Sequence, residues 1–137
     1  ESTMNLKSIK CPKKLNSSLI DEFLLVFLVA AKAKGVSFFN NLAELNQKES
    51  PRLKWGSKIL NLIGVKTELK NNSIKIFGNP NIQIKKKIII KKYLKDHRIF
   101  MTSVIAALSL GGEWHIHDKN SINTSFPNFL KILKKIK

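Results

Sequence analysis

Cysteine is almost missing from this chain. Cys11 stands alone, which excludes an internal disulfide and suits a reducing compartment. Long apolar runs are missing too: the longest, Phe23 to Ala31, falls well short of the roughly 20 residues a membrane-spanning helix needs. It follows directly on Asp21-Glu22, a junction that suits a buried helix. No charged-then-apolar leader opens the sequence, so the expected location is the cytoplasm and no membrane partner is expected. Arginine is the third scarcity. Of 25 basic residues only Arg52 and Arg98 are not lysine.

Against nine acidic residues the basic excess gives a net charge of +16 in 137 residues, one ordinary domain with enough apolar content for a core. A basic surface attracts polyanions, and a non-catalytic nucleic-acid-binding module is one reading of that charge. Its distribution favours another. The lysines are spread over every segment, and no interleaving of aromatic with basic residues suggests a base-stacking platform. A generally solvated surface is expected, with no nucleic-acid partner. Lys85-Lys86-Lys87 and Lys91-Lys92, around Ile88 to Ile90, read as charge guarding an exposed strand edge.

The chain divides into elements by its turn and cap residues. Leu6 to Lys10 is a strand candidate closed by Cys11-Pro12. Ser17-Ser18 offers N-caps for a helix to about Lys34, with Gly35 just past its end. Val36 to Phe39 is a second strand. Ser50 as N-cap and Pro51 at the first helical position open a helix that Gly64 stops. Val65 to Lys70 and Ser73 to Phe77 flank Asn71-Asn72, a two-residue hairpin turn. This gives βαβαββ over about 1–80. A strand within Ile82 to Ile90, a helix from Asp96 to Gly111-Gly112, a strand from Glu113 to His117 and a helix opened by Thr124-Ser125-Phe126-Pro127 then repeat the pattern. Residues 81–137 are thus expected to form an incomplete second unit, and open strand edges to favour self-association.

Both arginines sit where a helix should begin, within Lys48-Glu49-Ser50-Pro51-Arg52 and Asp96-His97-Arg98. A guanidinium fork matches carboxylate and phosphate oxygens in a way an ammonium cannot, and a helix N-terminus favours an anion. The pattern predicts a small anionic ligand held between two helix N-termini, with Glu49 placed to move a proton. A capped surface helix with a local ion pair accounts for the same residues. Asp21 is a candidate base or hydroxyl acceptor, and equally a favourable first-turn charge. His115 and His117 share a strand face beside Asp118, but further metal ligands are not evident; Trp114 and Ile116 are then expected in the core.

The stretches LIDEF…VAAKAKG, LNQKESPRLKWGSKILNLIGV, YLKDHRIFMTSVIAALSLGG and TSFPNFLKIL, in this order, closely resemble the C-terminal part of 5-enolpyruvylshikimate-3-phosphate synthases, in a class II-like variant. The resemblance implies an α+β fold of βαβαββ units, forming part of an inside-out α/β prism. It implies a transferase that moves the enolpyruvyl group of phosphoenolpyruvate to the 5-hydroxyl of shikimate 3-phosphate, releasing phosphate on the route to chorismate and the aromatic amino acids. No metal or organic cofactor is implied. Asp21 would act as proton acceptor and bind the shikimate hydroxyls, with Lys48 at the same substrate. Glu49 would transfer a proton at the enolpyruvyl methylene. Arg52 and Arg98 would grip phosphoenolpyruvate, with His97 nearby. Thr124 stands where other members carry lysine, and Leu24 where many carry proline. The N-terminal domain of such an enzyme would be the missing partner, and this chain alone would bind phosphoenolpyruvate weakly without turnover. A UDP-N-acetylglucosamine enolpyruvyl transferase shares the architecture, but its motifs differ from KESPRL and DHR.

Overall fold

The structure is a computed structural model that describes residues 5–90 and 95–136. Lys91-Lys92, assigned above to a strand edge, lies outside the described residues.

The first expected strand is reduced to two isolated parallel bridges, Lys7 with Lys34 and Lys10 with Phe38. Its backbone still bonds to the chain beside it, as from Ser8 N–H to the Lys34 carbonyl and from Phe38 N–H to that of Ile9. The first helix is interrupted. Helix α1 covers only Asn16–Leu19, the chain turns at 20–22, and α2 runs over Phe23–Lys32. Ser17 and Ser18 therefore lie within α1 rather than capping a long helix. The turn lets Asp21 and Glu22 reach toward the two arginines while Phe23, next in sequence, is fully buried. Gly35, expected just beyond the helix, instead opens strand β1, Gly35–Phe39.

Helix α3, Arg52–Leu62, follows a 3-10 segment at Ala43–Gln47. It stops as Gly64 predicts. Gly64 has a φ of 86°, its N–H bonds to the Asn61 carbonyl, and Val65 N–H reaches back to that of Leu60. A left-handed residue just past the helix thus satisfies two terminal carbonyls. Strands β2, Thr67–Lys70, and β3, Ser73–Gly78, pair antiparallel with Lys70 opposite Ser73, so Asn71-Asn72 is the expected turn. The three-stranded sheet has the order β1-β3-β2.

In the second half, β4 is confined to Ile88–Ile90 and pairs in parallel with the equally short β5, Trp114–Ile116. A ladder extends no further than its partner, which is why residues 82–87 stay outside the strand. Between them, α4 covers His97–Leu110 and ends at Gly111-Gly112 as expected. A 3-10 segment at Lys119–Ile122 leads to α5, Phe129–Ile136, which begins two residues after Pro127.

The fold is α+β, as expected. Helices α2, α3 and α4 pack on one another, with the three-stranded sheet on α2 and the two-stranded sheet on α4. The period-two pattern of β3 buries Ile74 and Ile76 completely while Lys75 faces water. They join Phe23, Phe27 and Phe39, whose rings meet edge-on or tilted at 5.3–6.1 Å, in the main core. A second cluster holds Leu24, Ile59, Ile88, Ile90 and Ile99, with Trp114 and Ile116 packed on it as expected. This cluster ties α2, α3 and α4 together. Their N-terminal ends carry the charged residues.

Candidate active site

Arg52 is the first residue of α3 and only 2% exposed. A buried guanidinium needs partners for its donors, and this one has three carboxylates. Nε donates to Asp96 Oδ2 at 2.8 Å, and Nη2 to Asp96 Oδ1 at 3.3 Å and Glu49 Oε2 at 2.5 Å. Nη1 donates to Asp21 Oδ1 at 3.1 Å. Lys48 Nζ stands 3.6 Å from the same Asp21 oxygen and 3.8 Å from Glu44. Asp21, Lys48, Glu49 and Arg52, singled out from sequence, are thus one cluster.

Asp96 is fully buried and is the hub of that cluster. Besides Arg52, its carboxylate accepts from Ser50 Oγ at 2.7 Å and from the backbone N–H groups of Arg98 and Ile99, at 2.9 and 3.4 Å. It is the N-cap of α4, as its place in the sequence predicts. Burial pushes its carboxyl upward, but the Arg52 guanidinium, the Ser50 hydroxyl and the Arg98 N–H outweigh that and hold it below the usual carboxylate range. Burial likewise acts to lower the Arg52 pKa, and the bond to Asp96 together with the charges of Asp96 and Glu49 turns the balance upward.

Ser50 does not cap α3. The N-cap position is taken by Pro51, without a side-chain cap bond, because the Ser50 hydroxyl is spent on the buried Asp96 carboxylate. Arg98, partly exposed, donates from Nη1 to Glu22 Oε1 at 2.6 Å. His97 is half-buried as the first residue of α4. Neither guanidinium is an open fork: each holds carboxylates of the chain itself, and the α4 N-terminus holds Asp96. What distinguishes these partners is exposure. Asp21, Glu22 and Glu49 are each about half-exposed, whereas Asp96 is closed off from water.

Sequence reasoning missed Glu22 as the partner of Arg98 and Asp96 as the tie to Arg52. The first had a signal, since Glu22 adjoins Asp21. The second is a contact across 44 positions with no local signature. Elsewhere, Thr124 lies exposed in the turn before α5. The His115 and His117 rings are 6.0 Å apart. Among the described residues no group of three or more His, Cys, Asp or Glu side chains is placed to hold a metal ion.

A family model described as EPSP synthase (3-phosphoshikimate 1-carboxyvinyltransferase) matches residues 4–133. The chain belongs to the EPSP synthase family. The 3-phosphoshikimate 1-carboxyvinyltransferase of Ruthia magnifica is 37% identical over 131 residues, covering 96% of this chain and 29% of the relative. That of Zymomonas mobilis is 37% identical over 135 residues, with 96% and 30% covered. Among solved structures, EPSP synthase from Acinetobacter baumannii superimposes with a TM-score of 0.84 at 31% identity, over 96% of this chain and 30% of that one. The chain therefore spans about three-tenths of the length of these EPSP synthases. Its α+β architecture is that of the family.

Proposed function

We propose that this chain is the part of an EPSP synthase that carries one side of the active site, acting with the remaining domain of the same enzyme in the cytoplasm. The reaction is transfer of the enolpyruvyl group of phosphoenolpyruvate to the 5-hydroxyl of shikimate 3-phosphate, with release of phosphate. The observation that carries this reading is the convergence of Asp21, Lys48, Glu49, Arg52 and Arg98 at the starts of three packed helices, within a chain matched to the family along nearly its whole length. Residues 1–80 supply one βαβαββ unit to the domain and residues 81–137 part of a second.

The ion pairs suggest how ligands enter. An exposed pair is worth only about 0–1 kcal/mol, so Glu22 gives up the partly exposed Arg98 at little cost, whereas Glu49 leaves the buried Arg52 only as a ligand anion takes its place. A carboxylate or phosphate ligand then takes over Arg98 and the outer edge of Arg52 through charge-assisted bonds. Glu49, freed from Arg52, is left beside the bound enolpyruvyl methylene to move its proton. Asp21, flanked by Lys48 and Arg52, accepts the proton of the attacking hydroxyl. Developing negative charge meets cations already in place, so little reorganisation is needed during the reaction.

Splicing residues 4–133 into the matching part of the Zymomonas mobilis relative tests the assignment. The chimera should release phosphate from phosphoenolpyruvate only when shikimate 3-phosphate is present. Arg98→Lys, which keeps the charge but loses the fork, should slow it by about 100-fold. A folded chimera without phosphate release, or an unchanged rate in the lysine variant, would count against this reading.

A further inference from the structure

The Asp96 carboxylate touches both arginine-bearing helix starts. Its Oδ2 accepts from Ser50 Oγ and Arg52 Nε, and its Oδ1 from Arg52 Nη2, Arg98 N and Ile99 N. One oxygen therefore joins the Arg52 side chain to the Arg98 backbone. The exposed partners, Glu49 and Glu22, hold the same two arginines from the solvent side. Arg52 is thus gripped along one edge by a carboxylate that water cannot reach, and on the other by carboxylates that it can.

We propose that Asp96 is the positioning residue of this site: its buried carboxylate fixes the Arg52 guanidinium and the start of the Arg98 helix in one register, so that both cations remain aimed when Glu49 and Glu22 give way to an anionic ligand. The proposal rests on the functional reading above for the identity of that ligand, but not for the anchoring itself. Asp96 does not need to meet substrate; it acts through Arg52 and Arg98. Ser50 serves the same end, because its hydroxyl supplies the Asp96 carboxylate with a donor besides the arginine. A carboxylate with several donors is held in orientation as well as in place.

Asp96→Asn in the whole chain separates the two functions of this side chain. Asparagine caps a helix as well as aspartate does, so the Arg98 and Ile99 amides should stay protected. The Arg52 Nε–H, followed by 15N NMR, should exchange with water about tenfold faster, having lost a charge-assisted bond. Phosphoenolpyruvate, titrated against the same labelled chain, should bind about tenfold more weakly, with shikimate 3-phosphate affinity unchanged. Equal Nε–H exchange in the folded variant would overturn the anchoring, and equal weakening of both ligands would reduce Asp96 to a general structural role. If the chimera with the Zymomonas mobilis relative folds and releases no phosphate, the functional reading fails, while the exchange rates in the chain still decide the anchoring. Should Asp96→Asn not fold, Ser50→Ala removes only the hydroxyl bond. It should speed the Nε–H exchange about threefold, a few tenths to one kcal/mol of hydrogen bond, and no change would overturn the proposal.

Discussion

Arg52 and Asp96 form a buried ion pair, and the chemistry of such pairs governs what their replacement should do. Removing one partner leaves a desolvated charge behind, which costs about 3–5 kcal/mol. The pair also makes stability depend on pH. The Asp96 carboxyl lies below its usual range in the folded chain. The unfolded chain therefore binds the proton more readily, and the stabilisation is present above the unfolded value of about 3.9. It is lost as the pH falls through the lower folded value. Urea unfolding at pH 7 and at pH 3 should show the chain losing more stability than Asp96→Asn does over the same interval; parallel losses would contradict this. The Arg52 sites were legible in sequence only as a cation at a helix start. Scarcity of arginine marked the position correctly, but nothing local revealed that the guanidinium would be buried, because burial comes from a contact between helices.

The start of α4 and the stop of α3 were the most legible features, whereas the caps expected at Ser17-Ser18 and Ser50 were not realised. Asp96 and Gly64 each act through bonds to neighbours within a few positions, so sequence alone suffices to place them. The α1–α2 break was not legible, because it depends on Asp21 and Glu22 finding arginines 31 and 76 positions away. The short β4 and the bridged segment at Leu6 to Lys10 fail for a related reason: strand length is set by a partner elsewhere in the chain. Two glycines separate backbone conformation from packing. A Cβ at Gly64 would meet nothing within 4 Å, so Gly64→Ala should cost only the left-handed penalty of about 1 kcal/mol. A Cβ at Gly78, where β3 meets the end of α2, would sit 2.0 Å from the Ala33 carbonyl oxygen. Backbone must move there, and Gly78→Ala should cost about 3 kcal/mol or more. Thermal unfolding of the two variants checks the order; a smaller loss at Gly78 would reverse the packing argument.

At the scale of the molecule, three helices from two successive stretches of chain bring their charged starts to one place. The family resemblance was legible because three of its motifs hold those helix starts, with the cations and carboxylates that meet there. The net charge of +16 carried much less information, since most of its lysines lie outside the cluster. Two kinds of carboxylate partner give the site its logic: a buried one that holds, and exposed ones that yield. A crystal structure of the chain grown with phosphoenolpyruvate tests this most directly. The ligand carboxylate should lie within hydrogen-bond distance of both Arg52 and Arg98, with Glu22 turned to solvent, Glu49 off Arg52 and beside the ligand methylene, and Asp96 still on Arg52. Phosphoenolpyruvate bound elsewhere, with the Glu22 and Glu49 pairs intact, would contradict it.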